Sequence, residues 1–246
     1  MNILVAISSV PDTTAKINFT SDSNALDKNG VQFVINPYDE FCLTKAIHLQ
    51  EKSGAKVTLV TIGDVSIEPV IRKALAIGAD SAIRINTEPT DSFLVAQEIA
   101  QVAKNGNFDL LFFGKESIDY NGGIVPSMVA GILNLPFVNA CIGLEIENNS
   151  AKVTREIDGG KEVISSNLPL VIAGQKGLVE ESELKIPNMR GIMQARTKTL
   201  QVTEPTFNNN SVKVKSFEKP IPRSEVKLVS DPAELVRLLK EEAKVI

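Results

Sequence analysis

Residues 114–131, GKESIDYNGGIVPSMVAG, have the composition of a loop that could bind an anion. The segment follows an apolar run at residues 110–113 and leads into a helical pattern, so a glycine-bearing loop joins a strand to a helix. Gly122 and Gly123 would let backbone amides approach a phosphate closely, and the helix would add its positive end. Neither G-x-G-x-x-G nor a Gly-Lys-Ser/Thr triplet is present, so an ordinary strand-to-helix connection stays open as the alternative to nucleotide binding.

A second junction of the same kind lies at residues 36–39, Asn-Pro-Tyr-Asp. Asn36 can cap the following helix, Pro37 suits its first turn, and Asp39 favours its positive end. We expect this junction beside the end of the first strand, where Ala6 leaves room. Helix capping alone would also explain the pattern.

The chain has few residues that could act as nucleophiles or metal ligands. Cys42 and His48, the only histidine, are six residues apart on one predicted helix and therefore do not face each other. Without a histidine partner a nucleophilic thiol is not expected, and we predict that Cys42 and Cys141 are structural or surface residues without a disulfide. Cysteine and histidine ligands are too few for a zinc site.

Two further segments combine charged and apolar residues. TREIDGGKEVI, residues 154–164, could hold a hydrolytic carboxylate pair, but a β-hairpin turn with solvated charges is the better reading. In residues 183–198, adaptable apolar side chains stand among cations, which suits either a binding surface or a loop packed into the core. The apolar residues of that segment are Ile186, Met189, Ile192 and Met193, and the cations are Lys185, Arg190, Arg196 and Lys198.

The elements that would position these residues alternate between strand and helix up to about residue 135. Strands are predicted at residues 3–8, 56–63, 81–85 and 108–114, and helices at 36–54, 68–80, 91–106 and after the loop that ends at 125. This alternation predicts an α/β fold with a doubly wound, mostly parallel sheet. Ligands of such sheets bind beyond the carboxyl ends of the strands. Residues 9–35 read as irregular, with a short hairpin between 16–19 and 31–35.

The pattern changes after residue 140. Turn signals at Asn148-Asn149 and Gly159-Gly160 predict a β-hairpin or meander addition, and LPLVIAG, residues 168–174, a further core strand. From residue 201 an extended arm leads to an amphipathic helix, in which Asp231 and Glu234 resemble a capping box. We therefore divide the chain into an α/β domain, 1–200, and an arm and helix, 201–246, that need a surface to lie on, on this chain or on another.

Composition excludes several classes of protein. The chain has 246 residues, 43% hydrophobic and 23% charged, with a net charge of −4, which argues against general nucleic-acid binding. No apolar run approaches the ~20 residues needed to cross a bilayer, so membrane insertion is not expected. Met1 leads directly into the first strand without a secretory signal, and we expect a cytoplasmic protein.

Several short stretches occur together and in order: VPDT, NPYDEF, RKALAIGAD, GKESID, REIDGGKE before LPLVI, and MRGIMQARTK. In this respect the chain resembles the beta, or small, subunit of electron transfer flavoprotein. The resemblance covers residues 1 to about 200, and the arm and terminal helix are consistent with it.

The resemblance implies an electron carrier and not an enzyme. In that family the beta subunit has an adenine-nucleotide-binding α/β fold, pairs with an alpha subunit that holds most of one FAD, and carries a structural AMP. Electrons arrive from dehydrogenases such as the acyl-CoA dehydrogenases of fatty acid oxidation and leave to a quinone oxidoreductase. AMP contacts would fall on Ala6, Asn36, Pro37, Tyr38, Asp39, Ile62, Gly114, Lys115, Glu116, Ser117, Ile118, Asp119, Tyr120, Asn121, Gly122, Gly123, Ile124 and Val125.

Two other roles follow from the same resemblance. Tyr38 matches an aromatic position near the dimethylbenzene edge of the flavin. The segment around Met189 matches the loop that docks partner dehydrogenases, with Met189 at its tip and Ile186, Pro187 and Ile192 beside it.

The sequence departs from the family at three places. The loop reads YNGGIVPS where Gln, Thr or Asn is usual, so AMP would be held mainly by backbone amides. The segment lacks DGDTAQVGP, which is typical of electron-bifurcating relatives that bind a second FAD, and the docking loop lacks an Arg-Tyr pair. A bifurcating subunit, an adenine-nucleotide hydrolase of the same fold and a nucleotide-binding regulator without flavin remain alternatives.

Overall fold

A nine-stranded sheet forms the centre of the computed structural model, which describes residues 1–208, 210–222 and 226–246. Every pairing from the first strand of the spatial order to the seventh is parallel, and the last two pairings are antiparallel. The predicted doubly wound, mostly parallel sheet with a meander is therefore confirmed. The spatial order is β11 (Leu200–Thr203), β5 (Ser81–Ile85), β4 (Lys56–Ile62), β1 (Asn2–Ala6), β6 (Leu110–Gly114), β10 (Leu170–Gly174), β7 (Phe137–Glu147), β8 (Ser150–Ile157) and β9 (Gly160–Asn167).

Helices cover both faces of the parallel part of the sheet, as its strands require. One face carries α1 (Pro37–Ser53), α2 (Glu68–Ile77) and α5 (Met189–Ala195), and the other carries α3 (Ser92–Gly106) and α4 (Val125–Leu133). Because side chains alternate along a strand, Ile3 and Val5 of β1 enter the first core while Leu4 and Ala6 enter the second. The two cores hold the sheet in place between the helices, and the site lies at one edge of this sheet.

The start of α1 and the first loop are held by a small second sheet. β2 (Ser9–Pro11) pairs antiparallel with β3 (Phe33–Ile35). The predicted hairpin between residues 16–19 and 31–35 is wrong, and Phe19 instead bridges to Leu26. Residues 33–35 lead directly into α1, which begins near the end of β1. They therefore lie beside residues 9–11, the segment that follows β1, and pair with it.

The C-terminal segment begins inside the main sheet, because β11 pairs with β5 along Leu200–Thr203. The following arm is fastened to α3: the carboxylate of Glu98 accepts the backbone N–H groups of Thr206 and Phe207, both at 2.6 Å. Further on, the Phe217 ring stacks on Phe19 with 5.0 Å between the centroids. Residues 209 and 223–225 of the predicted arm lie outside the described residues, and the domain division at residue 200 stays a prediction.

The terminal helix, α6 (Pro232–Glu241), begins as the sequence indicates. The Asp231 carboxylate accepts the N–H of Ala233 at 3.1 Å and caps the helix. Leu238 is buried, whereas Leu235 and Val236 stay exposed. In the part of the chain that the structure describes, no helix has the length and apolar character needed to cross a bilayer.

Candidate functional site

The candidate site lies where the winding direction of the sheet reverses. β1 pairs with β4 on one side and with β6 on the other, and the chain reaches them through helices on opposite faces. The carboxyl ends of β1 and β6 therefore border a crevice, the usual ligand position in such sheets. Ala6, Ile62 and the segments 36–39 and 114–125, which the sequence nominated, all lie at this edge.

Asp39 joins the ends of the two strands that border the crevice. Its Oδ2 accepts the N–H of Ser8 at 2.7 Å, and its Oδ1 accepts the N–H of Gly114 at 2.9 Å. The residue is 3% exposed, and burial raises the pKa of its carboxyl to about 7 although the donated hydrogen bonds lower it. Asp39 thus acts as a bracket between strands.

Asn36 connects the same bracket to the glycine-bearing loop. Its Nδ2 donates to Asp39 Oδ1 at 3.1 Å and to the Glu116 carbonyl at 2.8 Å, while its Oδ1 accepts the N–H of Ile118 at 3.3 Å. The expected capping bond is wrong, because the side-chain oxygen accepts no backbone N–H from the first turn of α1. Instead, the side-chain nitrogen and the side-chain oxygen of Asn36 both hydrogen-bond to the loop.

Gly114 is where β6 passes closest to α1. A Cβ atom at this position would lie 2.3 Å from Asp39 Oδ1 and 2.7 Å from Tyr38 Cβ. Only glycine lets the strand end reach the bracket. The sequence showed a glycine at the end of a strand but gave no signal of this contact.

The loop between β6 and α4 folds back on itself. Ser117 donates its N–H to the Gly122 carbonyl at 3.0 Å, and Asn121 turns the chain with a φ of 50°. The Asp119 carboxylate accepts the Ser117 hydroxyl and the N–H of Tyr120. These contacts use side chains within the loop, so its far end is shaped by its own residues.

The amino end of α4 closes the crevice. Val125 is its first residue and Pro126 its second, and Ile124 at the cap position offers no side-chain acceptor. The first N–H groups of a helix have no intrahelical partner. An end without a side-chain cap leaves these donors for an anionic group.

The charged groups around the crevice suit binding better than bond cleavage. Lys115 places its Nζ 5.8 Å from the centroid of the Tyr38 ring, and Lys176 pairs with Glu181 at 2.7 Å on the surface. Burial and the nearby Glu116 raise the pKa of Tyr38. Across the three described ranges, no cluster of three or more His, Cys, Asp or Glu residues could hold a metal ion.

Both cysteines are buried in the core, and neither forms a disulfide. Cys42 donates its Sγ–H to the Phe113 carbonyl at 2.9 Å, behind the crevice. Burial raises the pKa of both thiols, that of Cys141 to about 11. A thiolate nucleophile is therefore disfavoured at neutral pH.

Residues 154–164 comprise the end of β8, the two-residue turn at 158–159 and the start of β9. Arg155 pairs with Glu162 across the strands, and Glu156 accepts a hydrogen bond from Gln175. Both carboxylates are engaged with neighbours, so the hairpin interpretation is correct and a hydrolytic pair is not formed.

The segment around α5 exposes its apolar side chains. Ile186 and Met189 are 83% and 75% exposed, and Ile192 and Met193 are exposed beside them. The alternative that this loop packs its apolar residues into the core is wrong for these four. We call Ile186, Met189, Ile192 and Met193 the docking surface, after the role that the resemblance implies for this segment, and that role stays a prediction. Pro187, between them in the chain, is only partly exposed.

Comparison with known proteins agrees with this architecture. A family profile described as "Electron transfer flavoprotein domain" matches residues 24–208. The chain is 34% identical to the electron transfer flavoprotein subunit beta of Bacillus subtilis (strain 168), over 100% of both chains. It is 36% identical to that of Syntrophomonas wolfei, over 89% of this chain and 86% of the relative, and 32% identical to that of Homo sapiens, over 98% and 97%.

The profile covers most of the chain, and the relatives are matched over nearly their whole length. This chain belongs to the electron transfer flavoprotein family, among its beta subunits.

Proposed function

We propose that this chain is the beta subunit of a heterodimeric electron transfer flavoprotein. It carries electrons from dehydrogenases, such as acyl-CoA dehydrogenases, through an FAD shared with the alpha subunit to a quinone oxidoreductase. It holds a structural AMP at the β1–β6 crevice and docks the donor through α5. It acts in the cytoplasm as a carrier without substrate turnover of its own.

The crevice at the switch point is the observation that carries this proposal. Its floor is the Asp39–Gly114 bracket, one wall is the loop that Asn36 holds, and the other end is the uncapped start of α4. Backbone N–H groups are therefore the available donors, which fits the phosphate of a mononucleotide. The residues that would hold AMP are Ala6, Ile62, Tyr38 and the segment 122–125, with Asn36 and Asp39 behind them.

Two features of the residues near the crevice argue against a hydrolase. Lys115 lies beside an aromatic ring, and Lys176 is neutralised by Glu181. Phosphoryl transfer depends on cations or metal ions placed on the reacting phosphate. Binding without turnover is the simpler use of this site.

FAD supplies the redox chemistry in this proposal, and this chain contributes only one wall of its pocket. Tyr38 is the residue that we place against the flavin edge. Its ring is partly buried and is held beside Lys115 and Glu116, so its position is fixed. A fixed aromatic wall would orient the isoalloxazine and exclude water.

The alpha subunit would cover the apolar side of the C-terminal arm. Val212, Ile221, Val226 and Leu228 of the arm are all more than 60% exposed. An extended segment with this many exposed aliphatic side chains needs a surface to bury them. The beta-subunit family membership points to the alpha subunit as that surface.

Counting the bound nucleotides of the complex tests the proposal. The chain is co-expressed with its alpha partner, the yellow complex is purified, and acid-released nucleotides are identified by mass. One FAD and one AMP per heterodimer support the proposal. Two FAD would indicate a bifurcating subunit, and a colourless protein with a nucleotide would indicate a regulator.

Two additional measurements separate the remaining alternatives. ATP turnover by the purified complex would favour the hydrolase. The Asn36→Ala variant should release AMP while FAD is retained, because the loop loses two hydrogen bonds and Asp39 loses one. The exposed Asn24→Ala variant, whose amide hydrogen-bonds to Asp22 and not to the loop, is the control and should keep both nucleotides.

A further inference from the structure

Two cations join α2 and the segment of α5 in a reciprocal arrangement. Arg72 of α2 donates from its Nη1 to the carbonyl oxygens of Ala195 at 2.7 Å and Lys198 at 2.9 Å. Lys198 in return donates from its Nζ to the carbonyls of Leu75, Gly78 and Ala79, at 2.9, 3.2 and 2.6 Å. Arg72 thus donates to carbonyl oxygens at and just after the carboxyl end of α5, and Lys198 donates to those at the carboxyl end of α2. Carbonyl groups at such helix ends lack intrahelical partners.

The middle of α5 also contacts α2 directly. A Cβ atom at Gly191 would lie 2.3 Å from the Ala76 carbonyl oxygen. The two backbones are therefore as close as glycine permits, and the reciprocal contacts of Arg72 and Lys198 hold them at that distance.

Apolar packing alone would not hold α5 in this place. The helix has seven residues, of which only Ala195 is buried, and isolated helices of that length are unstable in water. A groove of about 510 Å³ lies between α2 and α5, lined in part by Pro69, Ala76 and Ile192. The polar contacts therefore carry much of the attachment.

We propose that Arg72 and Lys198 are positioning residues that lock α5 onto α2 and so present the docking surface in a fixed arrangement. The inference rests on the proposed donor docking for its functional consequence. A donor would then meet a preformed apolar tip, and the entropy of ordering that segment would not oppose binding.

The electrostatics at the lock support this role. Burial lowers the pKa of Lys198, and Asp80 opposes that effect. Its ammonium group has exchanged water for three carbonyl oxygens, a replacement that a neutral side chain cannot reproduce.

Hydrogen–deuterium exchange on the purified heterodimer tests the lock itself. Lys198→Met and Arg72→Met remove the donors and keep the aliphatic stem, while Lys198→Arg keeps a cation. Lys104→Met, an exposed lysine on α3, changes the net charge equally and is the control. Amides of residues 189–197 should exchange about tenfold faster in each methionine variant, in line with the loss of charged hydrogen bonds, and close to wild type in Lys198→Arg and Lys104→Met.

The functional consequence is measured with a purified acyl-CoA dehydrogenase reduced by its acyl-CoA. The KM for the flavoprotein should rise several-fold in the methionine variants, while kcat, FAD and AMP content stay at the wild-type level. The inference is overturned if exchange in residues 189–197 is no faster than in Lys104→Met, or if exchange accelerates and KM does not move. A wild-type complex that takes no electrons from the dehydrogenase would instead contradict the proposed docking, and the exchange result would still decide the lock.

Discussion

The backbone N–H of Gly114 donates to Asp39 Oδ1 at 2.9 Å, and this bond ties the end of β6 to the first turn of α1. The other oxygen of the same carboxylate accepts from Ser8, just beyond β1. One side chain therefore sets the spacing of the two strand ends between which the nucleotide is proposed to lie.

Gly114→Ala should destabilise the protein and abolish nucleotide retention. The added methyl would overlap Asp39 Oδ1 and Tyr38 Cβ, and an overpacked core site typically costs about 1–3 kcal/mol. Urea unfolding gives the free-energy change, and acid release gives the AMP content. In Gly131→Ala, the control on α4, the methyl meets open space, so the helix should be equally or more stable. Equal stability of the Gly114 and Gly131 variants would refute the close approach.

Asp39→Asn should change how stability depends on pH. Burial raises the pKa of the carboxyl from its ordinary value of 3.8 to about 7 in the folded protein, so between these values the folded state holds a proton that the unfolded chain lacks. Its contribution to the free energy of unfolding is therefore complete below pH 3.8 and is lost as the pH rises to about 7. The advantage of wild type over the variant should shrink by about 3 kcal/mol between pH 4.5 and pH 8.

Urea unfolding of both proteins across this range provides the measurement. An asparagine also turns an amide donor towards the N–H of Ser8 or Gly114, so at pH 4.5 the variant should be less stable by about 1–3 kcal/mol. A stability difference that does not vary with pH would show that Asp39 does not titrate in this window.

Met189→Ala should slow electron transfer from the donor without changing FAD content. Met189 is 75% exposed at the start of α5, so its loss removes an anchor for a partner pocket and little stability. Stopped-flow reduction of the heterodimer by an acyl-CoA dehydrogenase should show a several-fold loss at low flavoprotein concentration. Val163→Ala, at a similarly exposed position on β9, should behave as wild type. Identical rates in both variants would remove the docking role.

Glu98→Gln should loosen the C-terminal arm from α3. The buried carboxylate accepts two backbone N–H groups at 2.6 Å, and charged hydrogen bonds of this kind contribute about 1.5–3 kcal/mol. Limited proteolysis should cut residues 207–222 faster in this variant than in Glu88→Gln, an exposed control on the loop before α3. Equal cleavage rates would mean that the arm is held by other contacts.

Much of the fold could be predicted because its determinants are local. Apolar strands alternated with helices, Pro37 and Gly54 marked the two ends of α1, and turn residues separated β7, β8 and β9. The pairing of β2 with β3 could not be predicted from local sequence. It depends on the position of α1, which places residues 33–35 beside residues 9–11. β11 was missed for a similar reason, since its partner β5 is more than a hundred residues away in sequence.

The sequence suggested which segments lie near the crevice, but it did not reveal the side-chain contacts that hold those segments together. Glycines and a strand-to-helix junction are local signals, and they indicated a loop at segment 114–125, which lies between β6 and α4 beside the crevice. The roles of Asn36 and Asp39 depend on contacts about 80 residues away, and Asn36 satisfied a helix-cap pattern that it does not use. The link between Arg72 and Lys198 likewise joins residues that no local pattern relates.

The parallel pairing of β11 with β5 determines how the protein would respond to a force on the arm. This four-residue strand separates α5 from the arm, and backbone hydrogen bonds to Ala82 and Asn86 extend its attachment at either end. A pull on the arm acts along the strand, so those bonds resist in shear and must yield together. Tension applied to the arm therefore ends at the sheet, and α5 is insulated from it.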